Sequence, residues 1–201
     1  MTRRLIAYGD WAVLLEGHDL ADVMSLRSVI ATEFAQVVEV VPGARTLLLR
    51  LRAPLAEADR RRLLEMPGAP PDMDEQELIE IDVDYSGADL GEVAALLGLG
   101  PDEVVAAHTG QVWRVAFCGF APGFGYLVGE DDRLRVPRRS NPRLAVPAGA
   151  VGLADAFSGV YPRQGPGGWQ LIGRTDRPLW DLAADPPALL QPGRHVRFHA
   201  V

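Results

Sequence analysis

The stretch CGFAPGFGYLVG, residues 118–129, packs four glycines, a proline, three aromatic residues and the chain's one cysteine into twelve positions. Three chemistries suit such a segment: a glycine loop around phosphate, a thiol nucleophile, or a tight turn. The glycine spacing from Gly123 is not G-x-G-x-x-G and no strand–helix–strand unit follows, so a dinucleotide loop is excluded, as is a P-loop. Cys118 has no neighbouring base to lower its pKa and reads as a small buried hydrophobe. Pro122-Gly123 has the composition of a type II turn, proline presetting φ at the second position and glycine taking a positive φ at the third. Phe120, Phe124 and Tyr126 are more aromatic surface than a turn requires.

Two segments downstream carry charge. VPRRSNPRLAVPAGAVGLA, residues 136–154, interleaves Arg138, Arg139 and Arg143 with Pro137, Pro142 and Pro147. A guanidinium fork binds carboxylate or phosphate bidentately, and prolines stiffen the loop that aims it; the plainer reading is a rigid, solvated surface loop. In YPRQGPGGWQLIGRT, residues 161–175, Pro166-Gly167-Gly168 reads as a second tight turn whose amides suit an anion nest, with Tyr161, Trp169 and Arg174 as a pocket rim. His108 ends a helix and reads as a carboxyl-end cap. No G-x-S-x-G occurs, and neither Ser140 nor Ser158 has a positioned partner visible in sequence, so serine hydrolase chemistry has no support. Asp155, Asp176 and Asp181 are acid or base candidates that sequence does not pair.

Composition narrows the classes. All 20 basic residues are arginine, which removes the Walker lysine, the Schiff-base lysine and any lysine base. One cysteine forms no internal disulfide, and four scattered histidines have no zinc spacing, so no metal site of the nitrogen and sulfur type is expected. The net charge of −7 is uneven: residues 1–100 carry 18 acids against 9 arginines, residues 101–201 carry 9 against 11. With no basic tract the chain is a poor nucleic-acid binder, while a small anion on the second half is compatible. No apolar run is long enough to span a membrane and the amino terminus lacks a secretory pattern, so a soluble, cytoplasmic protein is expected.

Periodicity supplies the elements. LIAYGDWAVLLE suggests two short strands about Gly9 and Asp10. Asp19 opens a helix with Val23, Leu26, Ile30 and Phe34 on one face, VVEVVPGARTLLLRL reads as a hairpin, and PLAEADRRRLLEM as a helix with proline at its start. This is a small α+β unit, roughly ferredoxin-like, with a proline-rich acidic linker at residues 66–77. The predicted domains are therefore an N-terminal α+β domain with linker, 1–76, and a β-barrel domain, 77–201. The second opens with ELIEIDVDY, a half-buried strand, then two short helices, the latter with Gly100 before Pro101. From Gln111 the runs QVWRVAFC, LRVP, LAVPAGAVGLA, WQLIGRT and HVRFHAV are short strands between Pro and Gly clusters, the pattern of a barrel or sandwich.

Taken together, His108, GFAPGFGYL (119–127), PRRSNPR (137–143), VPAGAVGLA (146–154), YPRQGPGGWQLIGRT (161–175) and LLQPGRHVRF (189–198) resemble the bacterial 5-oxoprolinase B-subunit family, also called KipI-like or allophanate hydrolase subunit 1. YGDWAVLLE (8–16) resembles its first hairpin, so the likeness covers nearly the whole chain. It implies an α+β domain followed by a cyclophilin-like barrel of the carboxyltransferase subdomain C/D type. It also implies work with a cyclophilin-like C-subunit, similar to allophanate hydrolase subunit 2, and with an A-subunit. Together these use ATP, with Mg at the level of the complex, to open 5-oxoproline to glutamate; no biotin is attached to this chain. The candidates facing substrate, nucleotide or partner are then His108, Phe120, Pro122, Gly123, Phe124 and Tyr126 on one side. The others are Arg138, Arg143, Pro147, Tyr161, Gly167, Gly168, Trp169, Gln170 and Arg174, with Arg138, Arg143 and Arg174 as anion ligands. The catalytic residues stay unassigned. Alternative roles implied by the same resemblance are a carboxyltransferase component of a urea carboxylase/allophanate hydrolase system and a KipI-like inhibitor of a histidine kinase. Prolyl isomerase activity would rest on fold analogy alone. The sequence departs from the family pattern at Ala150, where serine is usual, and at Asp155 and Phe157, where a small residue and glutamine are usual.

Overall fold

The computed structural model describes residues 2–69 and 78–201, and the chain divides into two compact units, Met1–Asp74 and Glu75–Val201. Most of the expected linker, residues 70–77, lies outside the described residues. In the first unit β1 (Arg4–Ala7) and β2 (Ala12–Glu16) form a hairpin, α1 (Leu20–Glu33) follows, β3 (Val37–Pro42) and β4 (Thr46–Leu51) form a second hairpin, and α2 (Glu57–Glu65) ends the unit. The sheet runs β1-β2-β4-β3, antiparallel throughout. This β-β-α-β-β-α order is a cyclic shift of the ferredoxin-like β-α-β-β-α-β order. The Asp19 carboxylate caps α1 by accepting from the Asp22 amide at 2.9 Å, and Val23, Leu26 and Ile30 bury the helix face against Leu15, Leu47 and Leu49. Pro54 falls before α2 rather than in its first turn, because the helix begins after Ala56.

In the second unit β5 (Ile79–Val83) alternates buried and exposed as its sequence does, and is followed by α3 (Leu90–Leu97) and α4 (Pro101–Thr109). Gly100 precedes Pro101 at the helix start, and the Glu103 side chain accepts from the Gly100 amide at 2.7 Å. Then come β6 (Trp113–Cys118), β7 (Gly125–Val128), β8 (Arg143–Val146), β9 (Ala150–Ala154), β10 (Phe157–Val160), β11 (Gly165–Gly167), β12 (Gln170–Arg174) and β13 (His195–Ala200). Seven of these make one sheet in the order β12-β9-β10-β7-β6-β13-β5. Its two edges meet where the Asp84 and Arg174 backbones exchange hydrogen bonds at 2.9 Å each way, continued by Gly87 N to Ile172 O and Asp89 N to Leu171 O. The sheet is thereby drawn into a nearly closed barrel filled by Ile81, Val115, Leu127, Val151, Ile172 and Phe198.

β8 and β11 form a separate two-stranded ribbon. Two local expectations are corrected here. Gly165–Gly167 is a strand paired to β8, not a tight turn, so its amides face a ladder and form no nest. LRVP contributes a short 3-10 turn, Asp132–Leu134, and a single bridge from Val136 to Asp155 rather than a strand. Among the described residues no helix is long and apolar enough to cross a membrane.

Candidate functional site

The segment after β6 turns as its sequence dictates. Phe124 N donates to Ala121 O at 3.0 Å across Pro122-Gly123, and Gly123 has φ +82. A side chain at Gly123 would press on Leu179 O and the Cβ atoms of Trp180 and Pro162, so the turn is seated as well as bent. The preceding residue, Phe120, takes φ +67, a conformation an aromatic side chain rarely adopts, and its ring is 60% exposed. Behind it a continuous aromatic wall builds up. Phe120 meets Phe124 and Tyr161 edge-on at 5.4 and 6.0 Å, and Phe124 meets Tyr126, Tyr161 and Trp169 at 5.1, 5.3 and 5.3 Å. Burial raises the Tyr161 pKa, opposed by a hydrogen bond with the Trp169 backbone. Gly167 packs so closely on the Tyr161 hydroxyl that a methyl group there would overlap it.

Beside this wall lies the charged part of the site. Asp89, 2% exposed at the start of α3, accepts from Arg139 Nη1 and Arg143 Nη2 on Oδ1 and from the Leu171 amide on Oδ2, each at 2.7 Å. Burial pushes the Asp89 pKa up, but the hydrogen bonds from Arg143 and Leu171 and the charges of both arginines outweigh it and hold the carboxyl below its ordinary value. The same stretch, residues 167–171, gathers the proline loop around it. Gly167 pairs with Arg143, Gly168 O accepts from Arg139 N at 2.8 Å, and Gln170 Nε2 donates to Pro137 O at 3.4 Å. Three buried polar atoms of this cluster have no protein partner: Arg139 Nε, Arg143 Nη1 and Gln170 Oε1. These atoms are closed off from solvent and suit ordered water, while the guanidinium groups of Arg139 and Arg143 remain about one quarter exposed beside the aromatic wall.

Of the sequence candidates, Phe120, Phe124, Tyr126, Arg143, Tyr161, Gly167, Gly168, Trp169 and Gln170 come together here, with Pro122 and Gly123 shaping the approach. Arg138 is more than half exposed, 3.9 Å from Asp155, and its charge reaches Tyr126 and Tyr161. Pro147 is exposed and starts the turn in which its carbonyl accepts from Ala150 N. Arg174 belongs elsewhere: it lies 4.0 Å from Asp84 and 3.9 Å from Asp176 in an acidic strip, because β12 runs it out past the barrel seam. A shared anion pocket of Arg138, Arg143 and Arg174 is therefore not formed.

His108 is also displaced from its expected role. It caps no helix end; it is fully buried, with Nδ1 2.6 Å from the Tyr85 hydroxyl, Nε2 2.8 Å from Ser158 Oγ, and its ring stacked on Phe198 at 4.4 Å. Burial pushes its pKa down to about 3, so it stays neutral and uses one nitrogen as donor and one as acceptor. Ser158 thus has the partner that sequence did not show, yet it is 0% exposed and no substrate reaches its oxygen. The Tyr85–His108–Ser158 chain ties α4 to the barrel wall. Cys118 donates to Leu190 O at 3.3 Å and packs on the barrel core, as a small apolar residue would. Of the departures from the family pattern, Ala150 is buried in β9 in one apolar cluster with Phe124, Tyr161 and Trp169, Asp155 points to solvent at φ +52, and Phe157 packs against that cluster, edge-on to Tyr126 at 5.6 Å.

Reasoning from sequence missed Asp89 and Tyr85. Asp89 resembles an ordinary helix cap in SGADLGE, and its partners lie 50, 54 and 82 residues away.

Comparison with known proteins follows the same lines. Residues 4–190 match the carboxyltransferase domain, subdomain C and D. The chain is 40% identical to the 5-oxoprolinase B-subunit of Escherichia coli O157:H7 over 209 positions, 97% of this chain and 94% of that protein. Among solved structures, TTHA0988 superposes with a TM-score of 0.75 at 33% identity over 94% of this chain, which spans only 40% of that longer protein. Kluyveromyces lactis urea carboxylase shares the fold alone, with a TM-score of 0.71 at 20% identity over 99% of this chain and 22% of its own length.

Proposed function

Since the chain belongs to the 5-oxoprolinase B-subunit family, we propose that it acts as one component of an assembly that opens the lactam of 5-oxoproline to glutamate with cleavage of ATP. The observation that carries the reading is the pair of partly exposed guanidiniums, Arg139 and Arg143, held by the buried Asp89 carboxylate beside a wall of aromatic rings.

A five-membered lactam presents its N–H and C=O on the same side, and 5-oxoproline adds a carboxylate. In this reading the partly exposed guanidiniums of Arg139 and Arg143 donate to the substrate's oxygens, and the buried rings of Phe124, Tyr161 and Trp169 stiffen the wall behind them. The amide carbonyl is a poor electrophile. The lactam oxygen takes the γ-phosphoryl group of ATP with release of ADP; water adds to the activated carbon, the C–N bond breaks with the nitrogen taking a proton, and a second water frees phosphate from the resulting acyl phosphate to leave the carboxylate. Asp89 keeps both guanidiniums charged and aimed while no ligand is bound. The A- and C-subunits supply the remaining groups, and the exposed Phe120, held in a strained backbone, is their contact on this chain.

The test is reconstitution. The purified chain mixed with its A- and C-subunits, 5-oxoproline and ATP should release phosphate and glutamate in equal amounts, while urea in place of the lactam should give none. Correctly folded subunits without turnover on 5-oxoproline would sink the proposal, and turnover on urea with a biotin carrier would replace it with carboxylation.

A further inference from the structure

An antiparallel sheet with helices on one face normally presents polar residues on the other. In the first unit the inner positions obey this: Val13, Leu15, Leu47 and Leu49 are buried under the helices. The alternate positions do not. Ile6 stands opposite Leu14, Leu14 opposite Leu48, and Leu48 opposite Val41, so one apolar row crosses all four strands on the outer face. Ile6 is 43% and Val41 40% exposed, and the two leucines between them are half-buried only by one another and their neighbours. On each side of the row sits an ion pair between register neighbours, Arg4 with Glu16 at 2.5 Å and Arg50 with Glu39 at 3.0 Å.

We propose that this face is where two copies of the chain meet. A two-fold axis parallel to the strands, between β2 and β4, exchanges β1 with β3 and β2 with β4. It lays Ile6 over Val41 of the second copy and Leu14 over Leu48, so apolar meets apolar along the whole row. It lays Glu16 over Thr46 and Ala12 over Arg50, and no like charges oppose. Two sheets packing face to face lie about 10 Å apart at about −30°, a rotation that leaves the central leucines in register. The charge supports a copy over another occupant. In a chain of net charge −7, self-association needs a locally neutral surface, and both flanks of this row are neutral pairs. A basic partner would be drawn to unpaired acids, which these flanks do not offer.

Sedimentation of the whole chain should give a dimer, twice its 21.8 kDa. Leu14→Glu should weaken dimerisation by about a hundredfold or more and remove the concentration dependence of melting, with far-ultraviolet circular dichroism unchanged, since the new carboxylate faces Leu48 of the second copy. The double variant Leu14→Glu/Leu48→Arg should restore the dimer at low salt, because the axis brings those two positions together; this restoration also separates lost contact from lost fold. A wild-type chain that stays monomeric at all concentrations, or whose outer face is protected from hydrogen exchange only when a partner subunit is added, overturns the proposal. So does a dimer indifferent to Leu14→Glu.

Discussion

At Asp89 one carboxylate, almost wholly buried, accepts from two guanidiniums and a backbone amide, so removing its charge takes from two partly exposed cations the anion they share. Asp89→Asn is expected to cost about 3 kcal/mol at neutral pH, the lower end for a broken buried pair because both arginines keep some contact with water. The folded carboxyl is held below its ordinary value, so its contribution is complete above the unfolded value and is lost as pH falls through the folded one. Urea unfolding should show the gap between wild type and Asp89→Asn holding from pH 7 to about pH 5 and narrowing only as pH falls through and below the ordinary carboxylate range; equal stability at pH 7 would refute the assignment. His108 acts in the same pH direction for the opposite chemical reason. Its folded pKa, about 3, lies below the unfolded value near 6.5, so between them only the unfolded chain takes the proton. Stability should therefore fall on acidification by about 1.4 kcal/mol per pH unit from this residue, and His108→Gln should flatten the profile between pH 6 and 4 by that slope even though it lowers stability at pH 7. An unchanged slope would mean that the imidazole protonates in the folded state. Neither arrangement was legible locally: Tyr85 and Ser158 are 23 and 50 residues from His108, and nothing in their flanking sequence marks them.

The barrel seam is the element on which the site depends, since the segment from Asp84 to Asp89 both closes the sheet edge and delivers the Asp89 carboxylate. Gly87 lies on that seam against the backbone of Leu171, Ile172 and Gly173, where a methyl group would overlap main-chain atoms that have no side-chain freedom to move. Gly87→Ala should therefore cost about 2–3 kcal/mol and lower the melting temperature by about 10 °C. Gly91, in the first turn of α3 with open space around it, is the contrast: Gly91→Ala should stabilise by about 0.5–1 kcal/mol. If calorimetry gives both substitutions the same sign, close approach is not what the seam requires. The elements themselves were largely readable. Ile79, Ile81 and Val83 alternate because β5 has one face in the core, and Pro122-Gly123 bends as its composition demands. Where reading failed, a distant strand decided the outcome: Gly165–Gly167 is extended because β8 pairs with it, and a glycine-rich tripeptide carries no local sign of that partner.

On the scale of the molecule, the buried apolar side chains among the described residues fall into separate clusters. The cluster of the first unit runs from Val13 to Met66 and the two clusters of the second from Ile79 to Phe198, with no residue shared. In the sequence the proline-rich acidic stretch 66–77 marked the boundary, and the family likeness supplied the functional reading that periodicity alone does not contain, because a barrel wall of Val, Leu and Phe specifies packing and no chemistry. Separate cores make a testable claim about cooperativity. The barrel has its own nearly closed ladder, its own buried polar tie at His108 and its own ion-paired Asp89, all within residues 78–201. A fragment of those residues should unfold in urea as a single cooperative transition with the same acid sensitivity as the intact chain. It should also keep the near-ultraviolet signal of Trp113 and Trp169, both buried in the barrel unit. A fragment that retains secondary structure but loses that signal would be a loosely packed globule, and the stability of the site would then have to come from outside the barrel.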